Sequence, residues 1–194
     1  MATLLILNAR LLVTMDAQRR EIAGGAVLVR GQVIEGVGAS ADLPASADLP
    51  ASADEVIDAQ DPLVLPGLVS THHPMFQSQA RAVPAVQDCE LFGWRNGLYP
   101  VCANLTPAMV RVATPTAMAE LLLSGCTTSS GHWYLFPNGI RLDDSIDGAA
   151  RVGMRFHAAR GSMSLGQSLG GLPPDSLVER EPAILADIQR VIER

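Results

Sequence analysis

The stretch that decides the fold is PLVLPGLVSTHH, residues 62–73, an almost continuous apolar run that ends in two histidines. Proline and glycine punctuate the run, and a short apolar segment of this kind is typical of a strand buried on both faces of a parallel sheet. His72 and His73 then fall at the carboxyl end of that strand. Because the carboxyl ends of parallel strands form the functional face of α/β folds, we expect the chemistry to lie there.

Helices and strands alternate after this first strand. Strands are predicted at residues 126–136 and 154–161, and helices at residues 105–125, 141–153 and 173–194. Thr106 suits the N-cap of the first helix and Gly125 its end, whereas Pro115 falls in its middle, where proline costs about 3 kcal/mol. The alternation predicts an α/β fold with a parallel sheet, namely the first three βα units of a TIM (β/α)8 barrel.

Residues 1–60 have a different texture, with short apolar runs and Gly breaks that predict antiparallel strands and hairpins. We expect them to form a small β-sandwich-type domain ahead of the partial barrel, which occupies residues 61–194. The hexad ASADLP occurs twice in succession, at residues 39–50. Each copy has one large apolar residue to bury, so we interpret the repeat as a duplication within a surface loop.

The composition limits the class of protein. The net charge is -6 and Lys and Arg form no cluster, so a nucleic-acid partner is not expected. No apolar run is long enough to cross a membrane, and the N-terminus lacks the basic region of a signal peptide. Three scattered cysteines, Cys89, Cys102 and Cys126, predict buried thiols in a reducing compartment. These features predict a cytoplasmic protein that has no contact with a membrane.

Four histidines fall near the predicted carboxyl ends of strands, namely His72, His73, His132 and His157. Imidazole side chains bind metals at neutral pH. Side chains alternate along a strand, so positions 72 and 74 share one face and His73 points away. Position 74 is Pro74, which has no ligand atom. His73 could reach the same ion as His72 only if the strand bulges or ends there. His72 is therefore either a metal ligand or a histidine hydrogen-bonded at a strand end.

The run VLPGLVSTHHPMFQS, residues 64–78, resembles the first barrel strand of the amidohydrolase superfamily, in which a Pro-Gly strand ends in His-x-His. Longer runs at residues 78–94, 104–130, 135–164 and 170–181 are similar to the branch that contains 8-oxoguanine deaminases and guanine-deaminase-like enzymes. This resemblance implies a hydrolase with one zinc or iron ion, whose activated water attacks the amino-bearing carbon of a purine-like substrate and releases ammonia. It also implies a homo-oligomer.

Carried over by position, the resemblance makes His72 the first metal ligand and leaves Pro74 in place of the second histidine. Gly131 stands where the branch tends to have an aspartate before His132. The remaining ligands and the glutamate that shuttles the proton belong to later strands of the family, which we expect beyond the chain. The resemblance therefore assigns no catalytic residue to these 194 residues.

The same resemblance suggests four residues for substrate binding. Gln77 matches a glutamine that contacts the purine in guanine-deaminase-like enzymes, and its alternative is an ordinary polar loop residue. His132 and His157 match histidines on the second and third strands, near the pocket. Arg160 could bind a purine carbonyl or form a structural salt bridge.

Three hypotheses of function follow. The chain is the N-terminal fragment of a metal-dependent amidohydrolase that deaminates an 8-oxoguanine-type heterocycle, and the isolated fragment is expected to be inactive. Alternatively, it is a catalytically inactive truncated remnant. In the third hypothesis it is one half of a split enzyme, completed by a complementing chain that pairs with its open sheet edges.

Overall fold

The computed structural model describes residues 1–43 and 53–193 of the 194-residue chain. The chain divides into two compact units, Met1–Pro66 and Gly67–Arg194. The sequence suggested a boundary after residue 60. Residues 61–66 lie with the first unit because Leu63 and Val64 pair with its first strand.

The first unit is a five-stranded sheet. Its strands are β1 (Thr3–Val13), β2 (Glu21–Arg30), β3 (Val33–Ala39), β4 (Glu55–Asp58) and β5 (Leu63–Val64). The pairs β1–β2 and β2–β3 are antiparallel, as the short apolar runs predict. β4 and β5 instead run parallel to β1 and lie on the edge of β1 that β2 does not occupy. The sheet is therefore mixed.

The duplicated hexad begins at the end of β3. The backbone N–H of Ser40 donates to the Gly24 carbonyl at 2.9 Å, which holds the first residues of the repeat against the sheet. Residues 44–52, which include the whole of the second copy, lie outside the described residues. The interpretation of the repeat as a surface-loop duplication stays a prediction.

The second unit is built on a three-stranded parallel sheet in the order β6–β7–β8. These strands are β6 (Leu68–His73), β7 (Cys126–Trp133) and β8 (Arg155–Arg160). The helices are α1 (Leu91–Cys102), α2 (Pro107–Leu123), α3 (Leu142–Ala150) and α4 (Glu181–Ile192). Parallel strands that alternate with helices confirm the predicted α/β class.

The predicted ends of α2 are confirmed. Thr106 caps the helix by accepting a hydrogen bond on Oγ1 from the Met109 N–H at 3.3 Å, and Gly125 follows it with φ 85°. The helix continues through Pro115 despite the lost hydrogen bond. On α3, Gly148 lies so close that a Cβ there would be 3.2 Å from the Pro115 Cδ, so this glycine allows the two helices to pack at the proline.

Two helices differ from the sequence-based expectation. α1 is not predicted, because Gly93, Gly97 and Pro100 within it disfavour a helix. Its buried residues Leu98 and Cys102 pack into the main core of the unit, and this packing overrides the low propensity. The last helix is shorter than the predicted 173–194, since it begins only at Glu181 and is preceded by an irregular segment with one short 3-10 turn.

The three cysteines are not equivalent. Cys102 and Cys126 are buried, as predicted, whereas the prediction is wrong for Cys89, which lies exposed just before α1. Among the residues that the structure describes, none of the helices is both long and apolar enough to cross a lipid bilayer.

Candidate functional site

The carboxyl end of β6 contains a β-bulge that decides where its histidines point. Ser70 pairs with Ser129 and His73 pairs with Gly131, so Thr71 and His72 together lie opposite Ser130 alone. In parallel pairing, neighbours across the ladder share a face, so the extra residue changes the alternation of side chains. His73 consequently shares the face of Gly131, and His72 the opposite face with Ser130.

Four side chains share this second face, which we call the histidine face: His72, Ser130, His132 and His157. The rings of His72 and His132 are in contact, with centroids 4.6 Å apart and planes inclined by 34°. The Ser130 Oγ and the His157 Nδ1 are 3.5 Å apart on the neighbouring strand. The structure therefore brings three of the four histidines to one side of the sheet, and it turns His73 away from them.

The opposite face of β7 is packed. Ser129 and Trp133 are buried, and between them the backbone of Gly131 lies against the Phe156 ring. A Cβ at Gly131 would be 2.4 Å from that ring, so an aspartate at this position would not fit unless Phe156 moved. Gly131, which departs from the family pattern, thus leaves the space that the Phe156 ring of β8 occupies.

A small cleft of about 220 Å³ opens beside the carboxyl ends of β7 and β8. We call it the tyrosine cleft, and its lining residues are Arg95, Tyr99, His132, Tyr134, Gly161, Ser162 and Met163. The His132 and Tyr134 rings have centroids 5.3 Å apart, which makes one wall aromatic. The Tyr99 hydroxyl donates to the Met163 Sδ at 3.8 Å and closes another side.

Gln77 lies in the 3-10 turn Met75–Ala80 that follows β6. Its side-chain amide donates to the Tyr134 hydroxyl oxygen at 3.3 Å, which connects it to the tyrosine cleft. It also lines a second cleft of about 290 Å³, together with His73, Pro74 and other residues of the turn. Gln77 is therefore close to the histidine face, and its contact with a substrate stays a prediction.

Arg160 is held by the protein itself. Its Nη2 donates to both carboxylate oxygens of Glu179 at 2.7 and 2.8 Å, its Nε to Asp187 at 3.1 Å, and its Nη1 to the Gly161 carbonyl at 2.8 Å. The guanidinium also lies 4.0 Å from the centre of the Phe136 ring, and the side chain is only 4% exposed. These contacts favour the structural salt bridge over the alternative of a substrate carbonyl.

Burial controls the charge of two histidines. Burial lowers the pKa of His132, and the neighbouring His72 lowers it further, so the His132 imidazole is neutral near pH 7. Burial likewise lowers the pKa of His73, although the Glu120 carboxylate opposes the shift. The His73 Nδ1 is buried and lacks a hydrogen-bond partner among the described residues.

A divalent metal is implied by the family resemblance, and the described part of the chain fits one only incompletely. Within residues 1–43 and 53–193, His, Cys, Asp and Glu side chains form no group of three or more that could hold a metal ion. Pro74 offers no donor, and of the three imidazoles on the histidine face those of His72 and His132 are in contact, whereas His157 lies beside Ser130. Because a catalytic zinc normally has three protein ligands, these residues form at most part of a metal site.

Of the seven residues that line the tyrosine cleft, only His132 was a candidate from the sequence. The missed residues include those that carry its charge and its phenols, namely Arg95, Tyr99 and Tyr134. Arg95 and Tyr99 lie on α1, and Tyr134 lies one residue beyond β7. A signal was present, because Trp94, Leu98 and Cys102 recur every four residues and indicate a helix in spite of its glycines.

The chain is similar to known enzymes over nearly its full length. It is 46% identical over 187 residues to 8-oxoguanine deaminase of Pseudomonas aeruginosa, and 32% identical over 203 residues to hydroxydechloroatrazine ethylaminohydrolase of Pseudomonas sp. strain ADP. These alignments cover 94% and 100% of the chain, but only 40% and 42% of the two relatives. The chain thus spans about two fifths of the length of the curated relatives that it matches.

Solved structures of hydrolases are similar to this chain as well. The zinc complex of atrazine chlorohydrolase from Arthrobacter aurescens TC1 superimposes with a TM-score of 0.87 at 29% identity, and the match covers 98% of this chain and 43% of that one. No protein-family model matches the chain. The chain is similar in sequence to enzymes of the amidohydrolase superfamily and has the fold of the first part of the solved hydrolases that it matches. Within that superfamily it matches the N-terminal part of 8-oxoguanine deaminase.

Proposed function

We propose that this chain is the N-terminal part of a metal-dependent aminohydrolase that deaminates an oxopurine-type heterocycle and releases ammonia. The observation that carries the proposal is the 46% identity to 8-oxoguanine deaminase, which extends over 94% of the chain. Support also comes from the grouping of His72, His132 and His157 on one face of the parallel sheet. His72 and His132 lie at the carboxyl ends of their strands, where α/β enzymes have their sites. The proposal assigns one metal ligand, His72, to this chain.

The test is a coupled assay of ammonia release from 8-oxoguanine, with the protein expressed from its complete reading frame. The substitution His72→Asn removes the assigned ligand. We expect it to lower kcat/KM by more than the roughly 10–100-fold that loss of an outer-shell partner of a metal ligand costs. A protein that releases no ammonia from 8-oxoguanine, guanine or a related aminopurine would refute the proposal.

His73→Asn is the matched control. It removes the adjacent imidazole, which the bulge in β6 turns away from His72 and His132. We expect this variant to keep most of the activity of the parent protein. Equal losses in the two variants would mean that the activity does not depend on the face that His72 occupies.

A second candidate is a remnant without catalytic activity, or one half of a split enzyme. Two observations favour it: Pro74 stands at the family position of the second ligand, and the described residues form no three-ligand group. In this case the isolated 194-residue chain releases no ammonia, and Pro74→His raises its zinc affinity without producing activity. Ammonia release by the isolated parental chain, or by the isolated Pro74→His variant, would contradict this candidate.

A further inference from the structure

The tyrosine cleft contains a cation that no ion pair among residues 1–43 and 53–193 neutralises. This cation is Arg95 on α1, which takes part in none of the ion pairs that those residues form. Its Nε is shielded from solvent and has no hydrogen-bond acceptor in the same part of the chain. An unsatisfied buried donor is costly, and an acceptor on a ligand would remove that cost.

The other lining residues leave the charge of Arg95 uncompensated. No carboxylate is among the seven residues that line the cleft. Burial raises the pKa of the Tyr99 and Tyr134 phenols, and the positive charge of Arg95 opposes the rise only in part. Both tyrosines are therefore neutral hydroxyls at physiological pH, and the cleft has a net positive charge.

Tyr134 adds a second donor. Its oxygen accepts a hydrogen bond from Gln77, and its hydroxyl hydrogen, which has no acceptor among the described residues, can donate to a ligand. The adjacent His132 ring provides a flat aromatic surface on the same side. A planar ligand that stacks on this wall would therefore meet the hydrogen-bond donors of Arg95 and Tyr134, and it would meet no carboxylate among the lining residues.

The size of the cleft restricts the ligand further. Its volume of about 220 Å³ is smaller than the roughly 300–1,000 Å³ of sites for drug-sized molecules. A free base of one or two rings is of suitable size, whereas a nucleoside or nucleotide is too large. Size, charge and donors together select a small, planar, oxygen-bearing heterocycle.

We propose that Arg95 is a substrate-binding residue, which together with the Tyr134 hydroxyl recognises the oxygen of a planar oxo-heterocycle in its anionic form. The inference rests on the proposed function and deepens it, because it names the residues of this chain that would recognise the ring oxygen and so favour an oxopurine-type base over a neutral amino-triazine. The guanidinium forms a charge-assisted hydrogen bond to the ring oxygen, and the base stacks on the aromatic wall.

The experiment measures binding of two probes to the 194-residue chain by equilibrium dialysis. Urate is an oxopurine that is an anion at neutral pH and has no exocyclic amino group to lose. Melamine is a neutral amino-triazine without oxygen. We expect urate to bind more tightly than melamine, with an affinity that falls as ionic strength rises. Because urate cannot be deaminated, its binding is independent of whether the protein releases ammonia from any substrate.

The decisive variant is Arg95→Met, which keeps the apolar stem and removes the charge. We expect urate affinity to fall by about tenfold to a hundredfold, the effect of losing a charged hydrogen bond, with melamine affinity unchanged. Arg151→Met removes an exposed charge from the end of α3 and is the control, for which urate affinity stays at the parental value. Thermal unfolding of each variant shows whether the fold is retained.

Three results would overturn the inference: no urate binding by the parent chain, equal affinity for urate and melamine, or unchanged urate affinity in a folded Arg95→Met variant. Intact, Arg95-dependent urate binding by a protein that deaminates nothing would refute only the proposed function. The two proposals therefore fail on different measurements.

Discussion

The Phe156 ring of β8 lies directly against the backbone of Gly131 in β7, at a distance that leaves no space for a side chain. The contact joins the two strands just below the histidine face. His132 and His157 lie on the other face of the same two paired strands. Gly131 and Phe156 therefore pack directly behind the strand segments that carry the two histidines which the family resemblance places near the pocket.

A side chain at position 131 is expected to destabilise the second unit. A Cβ there would overlap the Phe156 ring, and overpacking of this kind costs about 1–3 kcal/mol. Urea unfolding of Gly131→Ala measures the loss. Gly38→Ala is the control, because a Cβ at that glycine meets nothing within 4 Å. If Gly131→Ala matches the parent in stability, or if adding Phe156→Leu restores nothing, the steric explanation is incorrect.

Arg160 is expected to be a stability residue. Its side chain is 4% exposed and pairs with Glu179 and Asp187, so Arg160→Met removes the cation that neutralises Glu179 and one of the two arginines that pair with Asp187. Loss of one partner of a buried pair costs about 3–5 kcal/mol. The exposed pair of Arg20 and Asp16 supplies the control, since Arg20→Met is expected to destabilise the fold far less than Arg160→Met does.

Chemical denaturation of both arginine variants decides between the two interpretations of Arg160. A residue kept for substrate contact would leave stability almost unchanged when it is replaced. An unfolding free energy for Arg160→Met within about 1 kcal/mol of the parent value would favour that interpretation over the structural one.

The same ion pairs predict acid sensitivity. Burial raises the pKa of Asp187, but hydrogen bonds from Arg190 and Arg160 outweigh it, and the net pKa lies below the ordinary value of 3.8. A carboxylate with a lowered pKa stabilises the folded state above its unfolded pKa, and this contribution is lost as pH falls through the folded pKa. We expect stability to fall below pH 3.8, and the slope to be shallower in Asp187→Asn. Identical pH profiles of the two proteins would disprove the assignment.

The thiols are expected to differ in reactivity. Burial raises the pKa of Cys102 to about 11, so at pH 8 only about one part in a thousand is the reactive thiolate. Cys89 is exposed and free. Titration of the native chain with a thiol-specific disulfide reagent should show one fast thiol, which Cys89→Ser abolishes. Rapid labelling that persists in Cys89→Ser would show that a buried cysteine is accessible.

The sequence predicted those elements whose signals are local. The apolar run before His72 indicated β6, and Thr106 and Gly125 marked the ends of α2, because strand burial and helix capping depend on a few neighbouring residues. The helix α1 escaped prediction because Gly93, Gly97 and Pro100 lower its propensity, and only packing of its buried side chains in the core compensates.

The candidate site was predictable only in part for the same reason. The alternation of side chains showed that His72 and His73 point apart, but the bulge that selects His72 depends on pairing with β7, more than fifty residues away. The contacts of Arg160 with Glu179 and Asp187, and the exposure of Arg95 to the tyrosine cleft, likewise arise from tertiary structure.

The bulge in β6 also shows what a one-residue shift in the pairing of β6 with β7 would do to the adjacent histidines His72 and His73. If the ladder ran without the bulge, the alternation would shift by one residue, and His73 rather than His72 would lie beside His132. An imidazole therefore faces the same side of the sheet in either registration. With a single histidine, a one-residue shift in register would place an unrelated side chain beside His132. With the doublet, the same shift replaces one histidine by the other.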